Sequence, residues 1–113
     1  MKHHEKRRAV GYLRTSSATN VGLGKDSERR QREAIQAHAK AAGFEIVAWF
    51  YDEAVSGADP VHSRPGFAAM LERVAADGVA TIIVETANRF ARDLMVQEVG
   101  FTMLKGLGVT LIA

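Results

Sequence analysis

The chain has 113 residues, 47% of them hydrophobic and 25% charged, enough for one globular domain with a real core and too few for two comfortable ones. Fifteen Lys+Arg against thirteen Asp+Glu leave a formal charge of only +2, so bulk charge does not announce a nucleic-acid partner. The absence of cysteine excludes disulfides, thiolate metal sites and cysteine nucleophiles. With neither a signal-peptide pattern nor an apolar run of about 18 residues, the expectation is a cytoplasmic protein without a membrane partner.

The distribution of charge says more than its sum. Lys2, Lys6, Arg7 and Arg8 crowd the start, where residues 1–7 read as a basic tail ahead of a domain over 8–113. His3 and His4 sit in that tail with no further ligand at usable spacing, so no metal is expected. Arg29, Arg30 and Arg32 crowd a second segment, and Arg64, Arg89 and Arg92 stand near turn signals.

The first apolar run, 9–13, is strand-sized and closes on Tyr12-Leu13-Arg14-Thr15-Ser16. Strand alternation puts residues 12, 14 and 16 on one side, so a guanidinium at 14 can hold a phosphate near the hydroxyl at 16. Taken alone, Ser16 reads as a turn or cap residue, and it is the neighbouring Arg14 that turns the reading toward a phosphate site. A loop over 16–26 is expected next. Its Gly22-Leu23-Gly24-Lys25 lacks the earlier glycine of a phosphate loop, that place being held by Thr19, so no nucleotide is expected. Ser27 suits a helix N-cap, and Ile35, His38, Ala39 and Ala42 follow with helical period. Gln31 on this helix is either a surface amide or a partner of the site.

A second strand over 46–51 ends at Asp52, which either caps the following segment or orients an arginine. The loop 53–64 carries Ser56, Gly57, Asp59 and Pro60, and its length suggests function. Arg64 opens a helix whose apolar face is Phe67, Met70, Leu71, Val74 and Ala75. A third strand, 79–84, leads to Asn88-Arg89-Phe90-Ala91-Arg92-Asp93. The spacing of Arg89 and Arg92 puts them on one face of a helical turn, either as a cationic pair for a ligand or as a solvated face paired with Glu85 and Asp93. A last helix runs from about 94 to 105 with Asp93 near its cap, and a fourth strand covers 109–113.

Gly43, Gly78 and Gly108 each precede a strand, as helix C-caps do. The alternation predicts an α/β fold, a parallel sheet of about four strands with helices on both faces and a flavodoxin-like topology. Ligands of such sheets bind at the carboxyl ends of the strands, which is where Arg14, Ser16, Asp52, Asn88 and Arg89 fall. No histidine stands beside Ser16, which argues against a Ser-His-Asp hydrolase.

Four ordered motifs, Tyr12-Leu13-Arg14-Thr15-Ser16, Tyr51-Asp52-Glu53-Ala54-Val55-Ser56-Gly57, Arg64-Pro65-Gly66-Phe67 and Asn88-Arg89-Phe90-Ala91-Arg92-Asp93, resemble the catalytic domain of serine recombinases of the resolvase/invertase type. The resemblance spans roughly residues 8–113. It implies that Ser16 attacks a DNA phosphodiester and becomes joined to the 5′ phosphate, and that Arg14, Arg64, Arg89 and Arg92 surround that phosphate. Tyr12, Gln31, Asp52, Ser56, Asn88 and Asp93 are implied as the supporting shell, with no cofactor and no metal. DNA is the implied partner, with a homodimer and a synaptic tetramer for the full-length protein.

Two departures from the family pattern stand out. Asn88 occupies a place where the family usually has aspartate, and Ala113 falls short of the long dimerisation helix and DNA-binding domain, so a truncated domain is expected. The alternatives are an impaired remnant that associates with a full-length recombinase, and a flavodoxin-like small-ligand domain.

Overall fold

A computed structural model describes residues 7–15 and 21–113. The four apolar runs become strands β1 (Arg7–Arg14), β2 (Phe44–Asp52), β3 (Thr81–Ile83) and β4 (Thr110–Ile112). All pairs are parallel, in the order β2-β1-β3-β4. Strand alternation sorts the core into two layers. Ala9, Leu13 and Ile83 face one side, where they meet Ile35, Ala39 and Phe44. Val10, Tyr12 and Ile82 face the other, against Phe67, Met70, Val74, Phe90 and Leu104.

Helix α1 (Val21–Ala42) covers the first face. It begins six residues before Ser27, so the expected loop over 16–26 is shorter and Ser27 is not an N-cap. The Ser27 hydroxyl instead accepts from Gln31 Nε2 at 3.0 Å, one helical turn on. The buried stripe of α1 is Gln31, Ile35 and Ala39, whereas His38 and Ala42, expected on the apolar face, are exposed. The buried positions recur every fourth residue, and His38 and Ala42 fall off that line into solvent.

The second face is covered by α2 (Pro65–Asp77) and α4 (Leu94–Gly106), separated by the short α3 (Ala87–Phe90). A single 3₁₀ turn, Val61–Ser63, precedes α2. Asp93 caps α4 as expected, its carboxylate accepting from Val96 N at 3.1 Å. The three glycines before strands all adopt positive φ, 81° at Gly43, 71° at Gly78 and 74° at Gly108, a conformation that costs other residues a Cβ clash. An aromatic series, Tyr12 to Phe67 at 5.2 Å, Phe67 to Phe90 at 5.7 Å and Phe90 to Phe101 at 5.1 Å, ties the sheet centre to the outer face of α4. Among the described residues no helix is long and apolar enough to cross a membrane.

The chain leaves β1 toward β2 on one side and later returns to β3 on the other. The order therefore reverses between β1 and β3, and a crevice opens beyond their carboxyl ends.

Candidate active site

The end of β1 is held from two sides. Gln31, fully buried, accepts from Arg14 N at 3.2 Å and donates through Nε2 to Arg14 O at 3.1 Å, so its amide continues the backbone pairing where the sheet stops. Thr15 N donates to Asp52 O at 3.1 Å, Thr15 O accepts from Val55 N at 2.9 Å, and the Thr15 hydroxyl lies 2.9 Å from the Tyr51 hydroxyl. The backbone is thus pinned up to residue 15. Ser16, the expected nucleophile, lies outside the described residues, as does the basic tail before Arg7.

Arg14 and Arg64 are each only 1% exposed. Burying a charge costs free energy unless its donors are satisfied, and here backbone carbonyls accept from all but a few of them. Arg14 donates from Nε to Arg89 O at 3.0 Å, from Nη1 to Val55 O at 2.8 Å and from Nη2 to Asn88 O at 2.7 Å. Arg64 donates to Phe90 O, to Asp59 O at 3.0 Å and, more weakly, to Gly57 O at 3.4 Å, while its Nε is buried without a hydrogen-bond partner. Burial, reinforced by the nearby Arg64 charge, lowers the Arg14 pKa to about 10, which leaves it cationic at neutral pH. Between them the two guanidiniums fasten the 55–59 segment and the 88–90 segment to the sheet edge.

Tyr12 and Asp52 lie beneath this layer. The phenol donates to Asp52 Oδ2 at 2.8 Å and accepts from Arg64 Nη1 at 3.3 Å. Burial pushes the phenol pKa well above its usual range, with Asp52 adding to the rise and Arg64 opposing it, so Tyr12 is a neutral donor. Asp52 also accepts from Gly66 N at 2.7 Å and Phe67 N at 3.0 Å, so its carboxylate serves the first turn of α2 rather than the loop that follows β2, while the Tyr12 phenol lies between it and Arg64. The Gly66 position has room for no side chain, because a Cβ there would meet Tyr51 O at 2.8 Å.

A cleft of about 410 Å³ opens above, lined by Arg14, Arg30, Glu85, Thr86, Asn88, Arg89 and Arg92. Arg89 and Arg92 both reach it, but not as neighbours on one helical turn. Helix α3 ends at Phe90 and Ala91 is extended at φ −159°, which turns Arg92 away from the helical path. Arg92 N donates to Gly57 O at 2.9 Å, and the Arg92 stem packs so closely on Gly57 that a Cβ there would lie 2.5 Å from Arg92 Cγ. Among the described residues the Arg92 guanidinium makes no hydrogen bond. Arg89 Nε donates to Glu85 Oε1 at 3.1 Å and Arg89 Nη1 reaches Arg14 O at 3.5 Å.

Asn88 is exposed at the cleft and offers its carbonyl to Arg14. Two expected supporting residues stand apart from the cleft. Ser56 is exposed and its hydroxyl accepts from Ala58 N at 3.1 Å, and Asp93 is exposed with an oxygen committed to its helix cap. Arg30 and Glu85 were not among the expected site residues, although both line the cleft. The available signals were the place of Glu85 four residues before Arg89 and of Arg30 next to Gln31. Among the described residues no group of His, Asp or Glu is arranged to hold a metal ion.

The family model described as resolvase, N-terminal domain, matches residues 9–113. No curated protein matches the chain by sequence. Among solved structures, a resolvase family site-specific recombinase from Streptococcus pneumoniae aligns at 26% identity over 96% of this chain and 72% of its own, with a TM-score of 0.76. The C-terminal catalytic domain of ISC1926 TnpA, an IS607-like serine recombinase, aligns at 26% identity over 92% of this chain and 67% of its own, with a TM-score of 0.74. The N-terminal catalytic domain of TP901-1 integrase shares the fold with a TM-score of 0.79 at 18% identity, over 95% of this chain and 77% of its own.

Proposed function

The chain belongs to the resolvase N-terminal domain family, that of serine recombinase catalytic domains, and from this membership we propose that it cleaves and rejoins DNA through Ser16. The observation that carries the reading is the convergence of Arg14, Arg89 and Arg92 on one open cleft at the end of β1, two residues before Ser16.

In the proposed reaction the Ser16 oxygen attacks a backbone phosphorus in line with the 3′ oxygen. The Oγ–P bond forms, the P–O3′ bond breaks, the serine proton is lost to solvent or a neighbouring acceptor, and the departing 3′ oxygen takes up a proton. The phosphodiester energy is kept in the 5′-phosphoserine link, so a 3′ hydroxyl can reverse the step on a new partner strand. Charge on the transferring phosphoryl oxygens is what guanidiniums stabilise. Arg89 Nη2 and the Arg92 guanidinium, without protein hydrogen bonds among the described residues, are the donors available to that phosphate. Arg14 and Arg64 contribute their charge from beneath, and Gln31, Tyr12 and Asp52 hold the strand end and α2 in place. The working protein pairs as a dimer and then as a synaptic tetramer on DNA.

A second reading, an impaired protein that acts by associating with an active recombinase, is favoured by Asn88, which brings no negative charge to the cleft. A small-ligand role of the flavodoxin kind leaves the arginines unexplained. The test is to trap covalent protein–DNA adducts on a pool of nicked duplexes of randomised sequence with the intact protein. Adducts are expected, and Ser16→Ala is expected to abolish them. Adducts that persist in that variant would overturn the assignment. No adducts with wild type, but adducts with Asn88→Asp, would favour the impaired protein.

A further inference from the structure

Glu85 is the one carboxylate among the residues that line the cleft, facing four arginines there. It follows β3 by two residues, so its backbone is anchored at the end of a central strand. Its two oxygens are divided between two elements: Oε1 accepts from Arg89 Nε and Oε2 from Arg30 Nε, each at 3.1 Å. The two contacts differ in weight. The Arg89 and Glu85 side chains are 22% and 16% exposed, whereas Arg30 is 58% exposed and its ion pair is weakened by solvent.

A carboxylate that grips Nε alone leaves the far edge of the guanidinium free. Arg89 is thereby fixed at Nε by Glu85 and steadied at Nη1 by the Arg14 carbonyl, with Nη2 left over for a ligand. We infer that Glu85 is a positioning residue, holding Arg89 in the orientation that presents its free edge to a DNA phosphate in the cleft. The inference rests on the proposed function and deepens it. An arginine held in place before substrate arrives loses less rotamer freedom on meeting it. The opposing effect is electrostatic, because a negative charge in the cleft repels the DNA backbone. Although burial favours the neutral form of Glu85, hydrogen bonds and charge from Arg30 and Arg89 outweigh it and hold the carboxyl below its usual range, so the grip is ionic at neutral pH.

These two effects predict an unusual pair of changes. With the intact protein on nicked duplex DNA, Glu85→Ala is expected to bind DNA more tightly, by severalfold, yet to form adducts at saturating DNA at least tenfold more slowly. Glu85→Gln, which keeps an acceptor for Arg89 Nε without the charge, is expected to share the tighter binding and recover most of the rate. A Glu85→Ala rate equal to wild type, or no recovery in Glu85→Gln while both variants melt as wild type does, would overturn the inference. A second readout needs no cleavage: hydrogen exchange at Arg89 Nε–H by nuclear magnetic resonance is expected to quicken at least tenfold in Glu85→Ala and little in Glu85→Gln. Unchanged exchange in Glu85→Ala would overturn the positioning role even where adducts form. Absence of wild-type adducts with the expected exchange pattern would instead refute the proposed function and leave the Glu85–Arg89 grip standing.

Discussion

One guanidinium, that of Arg14, reaches the Val55 carbonyl on one segment and the adjacent Asn88 and Arg89 carbonyls on another, both far from it in sequence. A planar fork with donors on separate nitrogens can do this, whereas an ammonium presents its donors from a single point. Arg14→Lys therefore strands buried carbonyls, and hydrogen bonds to charged groups contribute about 1.5–3 kcal/mol each. The expected loss is about 2–3 kcal/mol of unfolding free energy, read as a lower urea midpoint at unchanged slope. An unchanged midpoint would mean that the three contacts are not maintained in solution. The same residue shows why arginines at this site do not all serve alike: Arg14 and Arg64 are committed to the protein's own backbone, and Arg92 is not.

Among the elements, the connection from β2 to α2 does more than join them. Its Gly57 carbonyl accepts from Arg92 N and from Arg64, and its backbone lies flat against the Arg92 stem. Gly57 is needed here for close approach, since a methyl group would fall 2.7 Å from Arg92 Cβ, near the root of the side chain where it cannot swing aside. Gly57→Ala is expected to push this connection and the 91–93 segment apart, costing about 1–3 kcal/mol, the usual penalty of overpacking. Adduct formation is expected to fall more than the stability loss accounts for, because the displaced group is Arg92. Thermal melting and the adduct assay together check this, and retention of full cleavage would detach Arg92 from the site.

At the scale of the whole molecule, a formal charge of +2 conceals a strongly uneven surface, with Arg14, Arg30, Arg89 and Arg92 around one cleft. Binding to DNA through such a cleft releases counterions and weakens as salt rises. Arg92→Ala is expected to lower the slope of log affinity against log salt by about one, uniformly across DNA sequences. Fluorescence anisotropy over a salt series measures this, and an unaltered slope would place the DNA elsewhere on the surface.

The sequence by itself determined the alternation of strands and helices, the positive-φ glycines where helices give way to strands, and the placing of polar residues after strands. Each of these depends on neighbours a few residues apart: period, capping chemistry and backbone conformation. The α/β class and the positions of Arg14, Asp52 and Asn88 at the sheet edge follow from those local rules. Only the tertiary structure decided that Asp52 caps α2, that Ser27 lies inside α1, that Arg89 and Arg92 reach the cleft from either side of an extended Ala91, and that Glu85 links Arg89 to Arg30. For Asp52 on α2 and for Glu85 with Arg30 the reason is physical: hydrogen bonds between side chains and distant backbone groups or charges depend on how segments 15 to 55 residues apart are brought together, and on which donors that packing leaves unsatisfied. Local periodicity carries no record of either.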